Sequence, residues 1–269
     1  MLTVSSKCVK CGTCIAVCPI TGVIDMRQQG PELLQPEACI KCGHCVASCP
    51  EAALDHPLVP LSKQVSLETH PVLDPATAAR FLRSRRSIRS YKKDTVSQEL
   101  LLQLLEIARF APSGCNSQGL SYLVVTKREL MAQLAEVTVQ WLEEQIWNNT
   151  PWILPFKSFV DVYRNTGQDV ILREAPHLIV ATAPKGFFFG LGNARYSLEY
   201  VELFAPTLGL GTCWAGLLEA CAFSGYPELY RLLDIDDDNT SIVGALMVGY
   251  PRYTYHRLVD RNPLEVAWR

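Results

Sequence analysis

Eight of the eleven cysteines in this 269-residue chain lie between Cys8 and Cys49. They form two runs of identical spacing, Cys8-x2-Cys11-x2-Cys14-x3-Cys18-Pro19 and Cys39-x2-Cys42-x2-Cys45-x3-Cys49-Pro50. Thiolates clustered in a reducing compartment read as metal ligands rather than as a disulfide framework. Three cysteines in a tight C-x2-C-x2-C loop can wrap three corners of an iron–sulfur cubane. Gly12 and Gly43 allow the backbone to turn closely around the sulfurs. The fourth cysteine leaves the loop, and the following proline sets that exit. Zinc is the alternative, but it takes four ligands, usually as two C-x2-C pairs. Each run here has three cysteines in a row and a fourth before proline, which fits zinc poorly. His44, inside the second loop, is expected to face solvent because the thiolates are complete without it.

The doubled run resembles the bacterial two-cluster ferredoxins, in which the fourth cysteine of each run ligates the other cluster. The resemblance implies that Cys8, Cys11, Cys14 and Cys49 hold one 4Fe–4S cluster. Cys39, Cys42, Cys45 and Cys18 would hold the other. The crossing ties the two halves together, so roughly fifty residues can fold around metal without a large apolar core.

The rest of the chain is long enough for a larger domain. Hydrophobic residues make up 48% and charged residues 19%, as in a globular protein with a sizeable core. A net charge of −2 gives no basic field for nucleic acid or a membrane surface. No apolar run has the length of a membrane span, and MLTVSSKCVKCG does not read as a secretory signal, so a cytoplasmic location is expected.

The predicted organisation is a cluster-binding domain over residues 1–56, a proline-containing linker over 57–73 and an α+β domain over 74–269. Asp74-Pro75 reads as a helix start, with the helix running toward Arg83. Ser97 precedes a second helix whose Leu101, Leu104, Leu105 and Ala108 share one face, with Val96 and Leu101 as a staple. Further helices are expected over 128–148 and 193–208, the latter disturbed near its end by Pro206. Strands are expected over 120–126, 178–183 and 241–249. No G-x-G-x-x-G turn follows a strand, so a Rossmann dinucleotide site has no support.

Arg83 to Ser90 carries four arginines and three serines in eight residues. Guanidinium forks match phosphate oxygens and hydroxyls add hydrogen bonds, although a solvated basic patch would look the same in isolation. The segment Arg85-Arg86-Ser87-Ile88-Arg89 resembles the R-R-S-x-R opening of the nitroreductase family of FMN-dependent oxidoreductases. Ala111-Pro112-Ser113-Gly114-Cys115-Asn116-Ser117-Gln118 is similar to that family's A-P-S-x-x-N-x-Q segment. Gly209 to Gly216, Val248 to Pro251 and Arg261 to Leu264 continue the likeness in order, over about residues 74–269.

The resemblance implies a bound FMN and specific roles. Arg85, Arg86, Ser87 and Arg89 would hold the phosphate, the ribityl chain or the ring edge. Arg261 and Arg257 would add phosphate contacts from the C-terminal arm. Pro112, Ser113, Gly114 and Asn116 would line the flavin from a partner subunit, and Ala215 and Gly216 would lie against its N5 region through main-chain groups. Some relatives carry a glutamate where Ala215 stands, so the proton donor is not identified, and no catalytic residue is assigned. An intertwined homodimer is expected.

The remaining residues with chemical potential have plainer readings. Cys115, Cys213 and Cys221 lack ligand spacing and are expected to be buried. His177 is expected to be structural, and Phe187 to Phe189 a buried strand end or a pocket wall. Trp214 reads as core, and the region of Trp141, Trp147 and Trp152 as core, dimer contact or lid.

Clusters carry single electrons and flavins one or two. The expected function is an oxidoreductase that takes electrons from a low-potential donor such as ferredoxin or flavodoxin. A small organic acceptor of the nitroaromatic or quinone type would receive them. The alternatives are a dehydrogenase exporting electrons through the clusters, and a non-enzymatic carrier or sensor.

Overall fold

The computed structural model describes residues 2–67 and 73–269. It divides into two compact units, one built from the N-terminal segment with Cys115–Ser117, the other from Leu73–Gly114 with Gln118–Arg269. Residues 68–72 of the expected linker lie outside the described residues.

The first unit shows the internal repeat of its sequence. Its elements are β1 (Thr3–Val4), α1 (Thr13–Ala16), β2 (Ile24–Arg27), β3 (Gly30–Leu33), α2 (His44–Ala47) and β4 (Leu54–Asp55). Strand β1 pairs antiparallel with β4, and β2 with β3. Gly12 and Gly43, with φ of 80° and 75°, begin the two short helices, as the close turn around the sulfurs requires. Its buried apolar cluster comprises Cys14, Ile24, Val46 and Leu54. So small a core is marginal alone, as expected of a unit that closes around metal.

In the second unit, α3 (Pro75–Ser84) and α4 (Gln98–Ala108) come first. Asp74 accepts the N–H groups of Ala76 and Thr77, and Ser97 accepts that of Leu100. Each cap is worth about 1 kcal/mol. Val96 and Leu101 are both buried in one cluster, as a staple requires. There follow β5 (Ser121–Val125), α5 (Arg128–Trp147), α6 (Lys157–Thr166), β6 (His177–Pro184) and α7 (Gly190–Phe204). The chain ends its regular structure with β7 (Gly211–Trp214), α8 (Gly216–Phe223), α9 (Pro227–Leu232) and β8 (Thr240–Gly249). Helix α7 gives way to a 3-10 turn over Ala205–Leu208, where Pro206 stands.

The four strands form one antiparallel sheet in the order β5-β6-β8-β7. Alternation divides the core. Leu178 and Val180 point to one buried cluster, under α5, α8 and α9, and Ile179 and Ala181 point to the other, under α4 and α7. Burial on both faces explains why β6 and β8 read as continuous apolar runs. Among the described residues, no helix is long and apolar enough to cross a membrane.

Two expectations need correction. Cys115 is exposed, not buried, because it occupies a turn in which it and Asn116 both have positive φ. Of the two readings of Phe187 to Phe189, the strand end fails: they lie in the turn between β6 and α7, where Phe188 is 89% exposed and Phe189 packs against Gly114. Cys213, Cys221 and His177 are buried, and His177 Nε2 accepts the Val96 N–H at 2.8 Å. Trp141 is core, whereas Trp147 and Trp152 are exposed.

Candidate functional site

The first unit gathers its cysteines into two separate cavities. Cys8, Cys11, Cys14 and Cys49 line one; Cys39, Cys42, Cys45 and Cys18 line the other. These are the two crossed sets that the ferredoxin resemblance implied. Among the described residues, no group of three or more His, Cys, Asp or Glu side chains is placed to hold a single metal ion. Burial pushes the Cys14 and Cys45 thiols up, while the Thr13 hydroxyl beside Cys11 holds that thiol below its usual range. The Ala53 N–H donates to Cys49 Sγ at 3.3 Å, one of the backbone-to-sulfur bonds that tune a cluster. His44 is exposed at the rim of the second cavity. Asn116 belongs to this unit, where its Nδ2 donates to the carbonyls of Ile40 and Lys41 at 3.0 and 3.1 Å.

In the second unit, three of the family-like segments converge. Residues Arg85–Lys92 run beside β7 and the end of β8. Ser87 bridges Thr212, the Ile88 N–H donates to Thr212 O at 2.8 Å, and Tyr91 bridges Pro251. Gly211 makes room for this approach, since a Cβ there would stand 2.4 Å from Ile88 Cγ1. Arg85 is half-buried and ion-paired with Glu202 and Glu199. Arg86 lies over the Tyr255 ring, and its buried Nε has no hydrogen-bond partner. Arg89 is exposed and close enough to Cys213 to oppose the upward push of burial on that thiol.

Strand β7 leads directly into Ala215 and α8. The buried Ala215 donates its N–H to Ala245 O at 2.9 Å, and Gly216, the first residue of α8, has open space where a side chain would stand. An orphaned guanidinium nitrogen and a bare main-chain surface at a helix start fit a phosphate-bearing planar group. The residues present therefore fit FMN.

The remaining site residues stand elsewhere in the unit. Pro112 and Ser113 line a small cavity with Tyr122, Asn193 and Ser197. Asn193 holds this turn by accepting the Gly114 N–H and donating to Gln118 O. Gly114 packs against Phe189 so closely that a Cβ would meet the ring at 2.2 Å. Arg257 and Arg261 lie exposed on the C-terminal arm, outside any regular element.

Sequence reasoning missed two buried carboxylates. Glu202 on α7 is 1% exposed and takes the Trp214 indole N–H at 2.7 Å. Burial pushes its carboxyl up, and the Arg85 guanidinium partly opposes that. Glu219 on α8 pairs with Arg195 through both oxygens and accepts the Ala245 N–H. In α8 the available signal was Glu219, the one acidic residue of an apolar helix; α7 carries Glu199 as well as Glu202, so its pattern gave none.

Comparison with known proteins agrees with this geometry. The model of the nitroreductase family matches residues 82–250, and that of the 4Fe-4S dicluster domain matches residues 1–50. An NADH dehydrogenase of Thermus thermophilus is 32% identical over 221 residues, covering 75% of this chain and 98% of its own. An iodotyrosine deiodinase of Thermotoga neapolitana is 28% identical over 48% of this chain and 68% of its own. A nitroreductase of Bacteroides fragilis, solved with bound FMN, shares the fold with a TM-score of 0.57 at 17% identity, over 71% of this chain and 98% of that one.

Proposed function

The chain belongs to the nitroreductase family of flavin oxidoreductases and carries an N-terminal 4Fe-4S dicluster domain, and from that premise we propose that it is a reductase fed through iron–sulfur clusters. A low-potential donor such as ferredoxin or flavodoxin delivers the electrons, and a small organic acceptor of the nitroaromatic or quinone type receives them. The observation that carries this reading is the presence, in one chain, of two four-cysteine cavities and a flavin-family site. When bound, the two 4Fe–4S clusters supply single-electron carriage and FMN supplies the exchange between one- and two-electron chemistry.

The chain's own residues bind and orient. Cys8, Cys11, Cys14 and Cys49 hold one cluster, and Cys39, Cys42, Cys45 and Cys18 the other. Arg86 and Arg89, with Ser87, supply donors for the phosphate end of FMN, and Arg257 and Arg261 add charge from the C-terminal arm. Gly216, which follows Ala215 at the start of α8, presents main chain rather than side chain, so the isoalloxazine can approach closely there. Pro112, Ser113 and Gly114 complete the pocket from a second copy, with Asn116 beside them in the sequence. The exposed Leu264 and Trp268 of the arm fit a segment that such a homodimer covers.

A second reading is favoured by the name of the Thermus relative, an NADH dehydrogenase: NAD(P)H delivers hydride directly to the flavin domain. Steady-state turnover with a nitroaromatic separates the two. Reduced ferredoxin supports turnover in the proposed function, and turnover with NADPH alone at the same rate contradicts it.

A further inference from the structure

Trp214 immediately precedes Ala215 and Gly216, and Arg85 opens the arginine-rich segment. Both bind the same buried carboxylate. Glu202 Oε2 accepts the Trp214 indole N–H at 2.7 Å, while Oε1 accepts the Thr212 hydroxyl at 3.3 Å and Arg85 Nη1 at 3.4 Å. Arg85 opens the arginine segment read above as flavin-binding, and Thr212 and Trp214 lead directly into Ala215 and Gly216. Glu202 stands on a helix face whose neighbours, Leu198, Val201 and Ala205, are fully buried and apolar. The carboxylate is the acceptor shared by the Trp214 indole, the Thr212 hydroxyl and the Arg85 guanidinium, and an apolar side chain there would leave all three without it.

The opposite side of Trp214 is also held. The Arg195 guanidinium lies over its ring at 4.3 Å and pairs with both oxygens of Glu219. Glu219 accepts the Ala245 N–H at 2.8 Å, and Ala245 O accepts the Ala215 N–H. The residues leading into α8 are thus gripped between two buried carboxylates, and one of these, Glu202, also grips Arg85.

We propose that Glu202 is a positioning residue for the flavin, fixing the Arg85–Arg89 segment and the Trp214–Gly216 segment at one separation and placing a buried negative charge behind them. This rests on the reading of those segments as the FMN site. A site held at fixed spacing binds a rigid planar group with little reorganisation. A negative charge behind it disfavours added electrons and so lowers the flavin potential.

The test uses the full-length holoprotein and two substitutions. Glu202→Gln removes the charge with little change of shape. Trp214→Phe removes the indole N–H together with part of the ring, and leaves the charge. FMN dissociation constants, the midpoint potential of the bound flavin and Tm are measured for each. Both variants are expected to bind FMN at least ~10-fold more weakly, a loss of about 1.4 kcal/mol. Glu202→Gln is expected to raise the flavin potential more than Trp214→Phe does. Wild-type affinity and potential in both variants, even with a lowered Tm, overturn the proposal. If Glu202→Gln does not fold, an unaltered affinity and potential in Trp214→Phe overturn it. Failure of the wild-type protein itself to bind FMN overturns the flavin-site reading and this proposal with it, whereas wild-type binding beside unchanged variants overturns this proposal alone.

Discussion

Cys45 and Cys49 are separated by three residues and line different cavities. Cys14 and Cys18 are divided in the same way. Each run therefore gives three thiols to one site and its last thiol to the other. Cys49→Ser should deplete the cluster of the first run, and Cys18→Ser that of the second. Iron and sulfide analysis should fall toward half in each case, and the paramagnetic spectra of the two reduced variants should differ. Loss of the same cluster in both variants would contradict the crossed assignment.

Arg89 is exposed beside β7, with no ion pair of its own in the structure as described. Charge-assisted bonds to a phosphate are worth roughly 1.5–3 kcal/mol. Arg89→Ala should therefore weaken FMN binding by about tenfold or more, read by fluorescence titration. Unchanged flavin content would count against the phosphate role.

Gly211→Ala would put a methyl 2.4 Å from Ile88 Cγ1 and 2.9 Å from Pro251 Cγ. Ile88 is buried and cannot swing away freely. Overpacking of this kind costs about 1–3 kcal/mol. The expected result is a lower Tm together with weaker FMN binding, because the displaced segment carries Ser87 and Arg89. A lowered Tm with unchanged FMN affinity would separate that segment from the flavin.

His177 should make the second unit acid-sensitive. Burial holds its imidazole below the usual range, and Nε2 is occupied as an acceptor from Val96. The unfolded chain takes up a proton near its ordinary pKa of about 6.5, and the folded chain does so only at lower pH. Stability from this residue is thus full above about 6.5 and is lost as pH falls through the folded pKa. His177→Gln should flatten the fall of Tm over that acid range relative to wild type. Parallel Tm profiles for the two proteins would exclude His177 as the cause.

Much of this architecture was legible in the sequence because it rests on local or periodic signals. The cysteine registers, the caps at Asp74 and Ser97 and the apolar runs of β6 and β8 each carry their meaning within a few residues. Helix α8 was not legible, because it is apolar on nearly every side and shows no stripe. Strand β7 is four residues long and begins with glycine. Helix α9 had a signal, Pro227 at its first position, that went unread. The carboxylate of Glu202 was invisible for a different reason: its partners, Arg85 at one end and Trp214 at the other, are 129 positions apart in sequence by subtraction of their numbers, and only the packed sheet brings them together. Cys115 failed because burial was inferred from residue type, whereas the turn geometry governs its exposure.

The central claim is that electrons enter through the clusters. Anaerobic stopped-flow mixing tests it most directly, with reduced ferredoxin and with NADPH, on the wild-type protein and on a variant lacking the clusters. The account predicts that reduced ferredoxin bleaches the clusters before the flavin, and that flavin reduction by this donor is lost when the clusters are removed. Rapid flavin bleaching by NADPH, at the same rate with and without the clusters, would contradict it.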